Sequence, residues 1–428
     1  HGWLSYMGRA QYLLQEGRFV ADLCYYFGEN SPNALPNEDE LIPPPPAGYD
    51  YDAVITDNIM QMKVENGELV LPSGMRYKLM VLSHYGRRIR PAILRKIKQL
   101  VSAGAIVMGP KPEKAPGLTN YPNCDNEVTL LADEIWGKAN GKDITSNNFG
   151  RGRVYWGEDI NEIFSEIRQI PDFEYRGKNS PSIQYLHRRT EDADIYFISN
   201  QEHRLVAPEC SFRVIGKIPE VWDPQSGEIS KPAWYYEKND KTVIPLLLEP
   251  ADSLFIIFRE DSSGQRRVKK ARFENKDLFT ISSRDKNPPL EIIEARFGIL
   301  SDNSKTVDVT RQLSEMISDN YLRVIPGRVF KSEEVPGRSR EFFVKYKLGS
   351  SVKETTIDEG AQFLVPEQPG AIAFPAGELW LSEKGKPQLK AWQKGSFEFQ
   401  MSEGNKKTID IRDVPDPLKL SGPWDVKF

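Results

Sequence analysis

Cysteine is scarce in these 428 residues, and several other shortages narrow what the chain can be. Its three cysteines, Cys24, Cys124 and Cys210, stand in unrelated contexts without C-x-x-C spacing, which supports neither a zinc site nor a disulfide framework. Each reads as a small buried hydrophobe. No run of about 18 apolar residues occurs, so no membrane span is expected. The N-terminus also lacks a basic segment followed by an apolar one. Positive charge is not in excess: 57 Lys and Arg face 61 Asp and Glu, a formal net charge of -4, so nucleic acid is not an expected partner. A phosphate-cradling loop is missing too, because GRGRVYWG puts its glycines before a strand rather than between strand and helix.

What remains is ordinary globular material, 39% hydrophobic and 28% charged, enough for several cores. Ser5 to Glu16 carries Met7, Tyr12, Leu13 and Leu14 among polar residues and reads as the last helix of a preceding domain, ending at Gly17. From Phe19 to Phe27 a nearly unbroken apolar run predicts a strand covered on both faces. After Pro43 to Pro46, Asp52 is a candidate cap for a helix over Ala53, Val54, Ile55, Ile59 and Met60. Asn66-Gly67 signals a hairpin. Tyr77 to Ser83, then Pro91 to Ala103 with Gly104 as its stop, then Ala105 to Lys111, form a strand–helix–strand unit and hence a parallel sheet. A further helix over Asp125 to Trp136 and a strand over Arg153 to Trp156 complete it.

From about residue 180 short strands recur with turn residues between them, as in Ile183–His187, Ile195–Ser199, Thr242–Leu248 and Ser253–Arg259, which predicts a β-sandwich. WDPQSGEI supplies a hairpin turn. The charged stretch EDSSGQRRVKKARFENK reads as a linker to a second all-β stretch. The expected fold class is therefore multidomain α/β plus all-β, a flavodoxin- or amidotransferase-like parallel-sheet domain followed by β-sandwich domains. The expected divisions are 1–16, a barrel's last helix; 17–157, α/β; 158–262, β-sandwich; 263–412, a second β-rich domain; and 413–428, a linker with the first strand of a galactose-binding-like domain. Opening on His1 in mid-pattern and closing on GPWDVKF, the chain reads as an internal piece of a longer polypeptide.

Residues with chemistry are few. His84 follows a predicted parallel strand, at the edge where open α/β sheets bind ligands, and Glu29 in Gly28-Glu29-Asn30 lies at the same kind of edge. An amidotransferase would place a cysteine on a strand-to-helix turn; Cys24 lies inside its strand instead. Asp192 and Asp194 suggest a cation site but read better as solvated or turn-forming carboxylates. His187-Arg188-Arg189 could clamp an anion and reads better as strand-end charge facing solvent. Tyr49, Asp50 and Tyr51 in GYDYD pair aromatic faces with carboxylate acceptors, the combination that binds sugars, although a cap and packed tyrosines explain the same residues.

Together, YLLQEGRFVADLCYYFGENSPN, PPAGYDYD, GELVLPSGMRYKLMVLS, LRKIKQLVSAGAIVMGPKPEKAPGL, YPNCDNEVTLLADEIWG, HRRTEDADIYFISN, WDPQSGEI and LKLSGPWDVKF resemble the middle-to-C-terminal portion of glycoside hydrolase family 106, the α-L-rhamnosidases. The resemblance implies a preceding (β/α)8 barrel that carries two catalytic glutamates for inverting hydrolysis and a calcium ion. It implies accessory domains here, rhamnose-containing glycans as partners together with the barrel of the same polypeptide, and a periplasmic or secreted location. No catalytic residue, metal ligand or cofactor is expected on this chain, and Glu29, Tyr49, Asp50, Tyr51 and His84 are its candidate substrate contacts. A β-galactosidase with an amidotransferase-like domain, or a free-standing carbohydrate-binding module, is the alternative.

Overall fold

The computed structural model describes residues 2–29, 41–82, 87–177, 182–263, 267–278, 288–317, 320–333, 335, 337–366, 376–382, 386–402 and 404–415. Within them the chain is built mostly of sheets, with few helices and more than one core.

The first large sheet runs in the order Tyr51–Val54, Leu23–Tyr26, Leu79–Leu82, Ile106–Met108, Gly152–Tyr155, all parallel, with Ser146–Phe149 antiparallel at one edge. Side chains alternate across it, as the pleat requires. Cys24, Tyr26, Met80, Leu82, Val107 and Val154 face the helices Pro91–Ser102 and Asn123–Trp136. Leu23, Tyr25, Leu79, Val81, Met108 and Tyr155 face Ile160–Glu166. The Pro91–Ser102 helix begins on proline and buries Ile93, Leu94, Ile97, Leu100 and Val101, each worth roughly 1.5–3 kcal/mol of apolar burial. In the hairpin before it, Asn66 and Gly67 both have positive φ, 52° and 84°, the backbone that two-residue hairpins need.

Two expectations fail in this region, for physical reasons. The apolar run from Phe19 to Phe27 is not one strand: Arg18–Phe19 pairs with Arg188 and Arg189 of an antiparallel sheet, and only Leu23–Tyr26 enters the parallel one. Asp22, buried between them, marks the break. Asp52 caps no helix, because Tyr51–Val54 is a strand and the helix starts at Thr56. Its carboxylate instead accepts a 2.6 Å hydrogen bond from the buried Tyr77 hydroxyl. Tyr77→Phe should therefore cost about 1.5–2 kcal/mol, read as a shift of the urea midpoint, with the slope of the transition unchanged.

The antiparallel region contains an eight-stranded sheet that includes Ile183–Arg189, Asp194–Asn200, Ser253–Asp261 and Lys217–Trp222, and a four-stranded sheet around Glu209–Phe212. Tyr196, Ile198 and Phe258 of the first share a core with Phe173, Phe212 and Ile244 of the second. The outer face of the large sheet, with Ile195, Phe255 and Ile257, is covered by Ala10 and Leu13 of the first helix, Gly2–Gln15. That helix thus packs on antiparallel strands and not on the parallel sheet, leaving Tyr12 67% exposed. Pairing of Lys231–Pro232 with Trp380–Leu381 carries the eight-stranded sheet past the charged stretch. Part of that stretch is no linker: Val268–Phe273 is a strand paired with Gly395–Met401, its Val268 and Ala271 turned into a core. Residues 416–428, most of the expected terminal linker and strand, lie outside the described residues.

Candidate functional site

Parallel strands share one direction, so the sequence-predicted contacts divide between opposite edges of the sheet. Glu29 follows Leu23–Tyr26 and lies at the carboxyl edge. His84, after Leu79–Leu82, falls outside the described residues. Tyr49, Asp50 and Tyr51 lead into Tyr51–Val54 and lie at the amino edge. No single cavity can gather Glu29 together with Tyr49, Asp50 and Tyr51.

At the carboxyl edge, Glu29 is engaged by its own scaffold. It accepts the Arg90 amide at 3.1 Å, pairs with the Arg90 guanidinium and receives the Thr56 hydroxyl at 3.5 Å. An acid at this point suits the start of the Pro91–Ser102 helix. A cavity of about 320 Å³ lies nearby, lined by Val81, Leu82, Met108, Trp156 and Glu158 among others. Among the described residues its lining holds no nucleophile of the amidotransferase kind. Cys24 is fully buried within its strand, and burial, with Asp52 beside it, pushes its thiol well above the ordinary range.

The amino edge carries a groove of about 880 Å³ between the turn 46–51 and the strands Phe173–Arg176 and Ile183–Arg189. Gly48 fastens its two sides. Its carbonyl accepts the amides of Asp172 (2.7 Å) and Phe173 (3.3 Å), its φ is +84°, and an added Cβ would lie 2.5 Å from the Phe173 oxygen. Tyr49 packs on Phe164 with ring centroids 4.4 Å apart and donates to the Gln169 carbonyl at 2.8 Å; burial raises its hydroxyl to about 12. Tyr51 meets Tyr25 edge-on at 5.6 Å, and Asp50 accepts the Tyr51 amide at 2.8 Å. Phe173, Tyr175 and Tyr185 form the facing aromatic wall, Phe173 and Tyr185 being 4.9 Å apart.

Beside this groove lies a buried charge network. Arg213 reaches Asp22 and Asp172, both at 3.1 Å, and donates to the Ile170 carbonyl at 2.8 Å. His187, with no exposed surface, sits between Asp172 (2.9 Å) and Asp194 (3.2 Å), stacked on Tyr196 at 3.8 Å. Asp194 also meets Arg189 at 2.5 Å and Lys217 at 3.2 Å. Burial alone would lower the imidazole and raise the Asp172 and Asp194 carboxyls. The ion pairs outweigh it: His187 is held above its ordinary value and both acids below theirs. At Asp22 burial wins, only partly offset by Arg213, and its carboxyl is raised.

The structure corrects the reading of His187-Arg188-Arg189 as charge facing solvent. Along this strand Ile183, Tyr185 and His187 share the inward face, so period-2 alternation, and not the basic cluster, decides where His187 points. Arg188 donates to the Glu16 and Gly17 carbonyls at 2.6 and 2.7 Å. Asp194 is likewise no solvated carboxylate, while Asp192 accepts the Thr190 hydroxyl at 2.9 Å within its turn. Among the described residues, no group of three or more His, Cys, Asp or Glu side chains is arranged to hold a metal ion.

The family model described as alpha-L-rhamnosidase, for glycoside hydrolase family 106, matches residues 1–237, a stretch that holds both edges and the charge network. The chain belongs to glycoside hydrolase family 106. A curated relative in Formosa agariphila, described as a putative beta-glucuronidase, is 32% identical over 365 residues, covering 83% of this chain and 29% of the relative. A solved rhamnosidase from Novosphingobium sp. PP1Y is similar at 28% identity and a TM-score of 0.55, covering 72% of this chain and 28% of that one. This family member thus spans less than a third of the length of either relative.

Proposed function

We propose that the chain is the supporting portion of an α-L-rhamnosidase that removes terminal α-L-rhamnose from plant or microbial glycans with inversion, in the periplasm or outside the cell. The family match over residues 1–237 carries this reading. Inversion needs a carboxylic acid and a carboxylate about 6.5–9.5 Å apart across the glycosidic bond, the acid with a raised pKa. Among the described residues, Asp22 and Asp252 have raised carboxyls. Asp22 is sealed by Arg213 and Gln169, and Asp252 is bound to the amides of Glu249 and Ser253, so neither is presented to a sugar. The acid, the base and a family calcium ion are assigned to a barrel elsewhere in the polypeptide, and no described residue has a part in a step through that ion. A flavodoxin-like parallel-sheet domain, supported by the 2-1-3-4-5 order of the parallel strands, and β-sandwiches, supported by the core shared between antiparallel sheets, brace that barrel.

The test is hydrolysis of an aryl α-L-rhamnoside. The 428-residue chain should show no turnover above buffer, and a polypeptide extended by the preceding coding sequence should show it. Turnover by the chain alone that persists through purification sinks the supporting role. Because one relative is described as a putative beta-glucuronidase, an aryl β-glucuronide is assayed alongside, and its hydrolysis by the extended polypeptide in place of the rhamnoside would change the substrate.

A further inference from the structure

We infer that the amino-edge groove is a saccharide-binding subsite for a neutral glycan, separate from the residues that break the glycosidic bond. Its volume of about 880 Å³ falls in the range of small-molecule sites, roughly 300–1,000 Å³. Its composition suits a pyranose, which offers apolar C–H faces and hydroxyl edges. Tyr51 on one side and Tyr175 and Tyr185 on the other offer aromatic surface, with Asp50 and Arg176 among them as hydrogen-bonding groups.

Charge separates a neutral glycan from an acidic one. Glu174 in the wall is paired with Lys241, and Arg176 shares the groove with the Asp50 carboxylate, so among the described residues the lining carries no excess of positive charge to attract uronates. The framework is built before any ligand arrives. Gly48 ties the turn to Phe173, and Tyr49 is locked by Phe164 and Gln169, so Tyr49 positions the turn and its neighbours make the contacts. Little ordering of loops would then oppose binding. The inference rests on the proposed rhamnosidase role only in the choice of rhamnose among the probes.

Calorimetric titration of the 428-residue chain with an α-L-rhamnose disaccharide, cellotetraose and tetragalacturonate tests it. Saturable heat is expected with at least one neutral probe. Ala47→Trp, which adds bulk to the groove from an exposed position on its turn, and Tyr175→Ala should each weaken that binding by about tenfold or more. Circular dichroism melts confirm that both variants fold, and Ala47→Trp decides the matter if Tyr175→Ala does not. Binding of cellotetraose without the rhamnose probe supports the groove while counting against rhamnose as the sugar. No heat with either neutral probe, binding untouched by Ala47→Trp, or a preference for tetragalacturonate overturns the inference.

Discussion

Arg213→Met will lower stability by about 3–5 kcal/mol, because it removes one member of a buried charge network and leaves its partners uncompensated. Asp22 and Asp172, at 4% and 1% exposure, would each lose the same guanidinium, and Asp22 has already been pushed up by burial even with Arg213 in place. The variant also loses the bond to the Ile170 carbonyl. Methionine fills much of the volume, so the deficit reports charge and not a cavity.

Its pH dependence follows from the directions of the shifts. Asp172 and Asp194 have depressed folded values, so what they contribute is present above the ordinary carboxylate pKa of about 3.9 and is lost as pH falls through the depressed values. His187 is raised, so its contribution is complete below about 6.5 and is lost as pH rises through its folded value. The network as a whole is strongest between those limits. Asp22 has the opposite sign from the other acids: its ionised form opposes folding, and acid relieves it. In Arg213→Met both Asp22 and Asp172 lose their cation: Asp22, already raised, rises further, and Asp172 loses part of its depression. The difference in melting temperature from the parent should therefore be larger near pH ~7 than near pH ~4.5. An equal difference at the two pH values would mean that Arg213 acts by packing alone.

Gly17→Val is the second large effect, about 3–4 kcal/mol. Gly17 has φ +61°, which a β-branched residue adopts only with strain, and an added Cβ would lie 2.3 Å from the Arg189 carbonyl oxygen. Relief requires the Arg18–Arg189 and Phe19–Arg188 pairs to separate, together with the Arg188 bonds to Glu16 and Gly17. The first helix would then keep its Ala10 and Leu13 packing but lose the covalently adjacent strand pair that anchors its end to the large sheet. Limited proteolysis should cut near residue 17 in the variant under conditions where the parent is intact, and thermal unfolding should begin earlier. Resistance equal to the parent's would show that the strand pair yields without cost.

Much of the fold was readable because local rules and tertiary packing agree. The helix from Pro91, the Asn66-Gly67 turn and the strands around Leu79–Leu82 and Ile106–Met108 follow from periodicity and turn chemistry. The failures fall where a short polar residue has a distant partner. Asp52 looked like a cap because Asp favours caps, yet Tyr77 holds it in a strand. HRR looked solvent-facing because charge usually is, yet Asp172 and Asp194 accompany His187 into the interior. The only local hint was alternation with Ile183 and Tyr185.

For the candidate site, the residues of GYDYD announced the chemistry, and the sequence alone determined that aromatic faces and acceptors sit together on one turn, with Gly48 beside them. It also determined the family, through motifs spread along the chain. Only the tertiary structure decided that Glu29 and the turn at Tyr49–Tyr51 lie at opposite edges of one sheet, because strand order and direction are properties of pairing. It also decided which strands form the facing wall. Phe173, Tyr175 and Tyr185 are more than a hundred residues from Tyr49, and nothing in their own neighbourhood marks them as its partners. The groove exists because Gly48 lets two backbones approach, a contact that a sequence can permit but cannot specify.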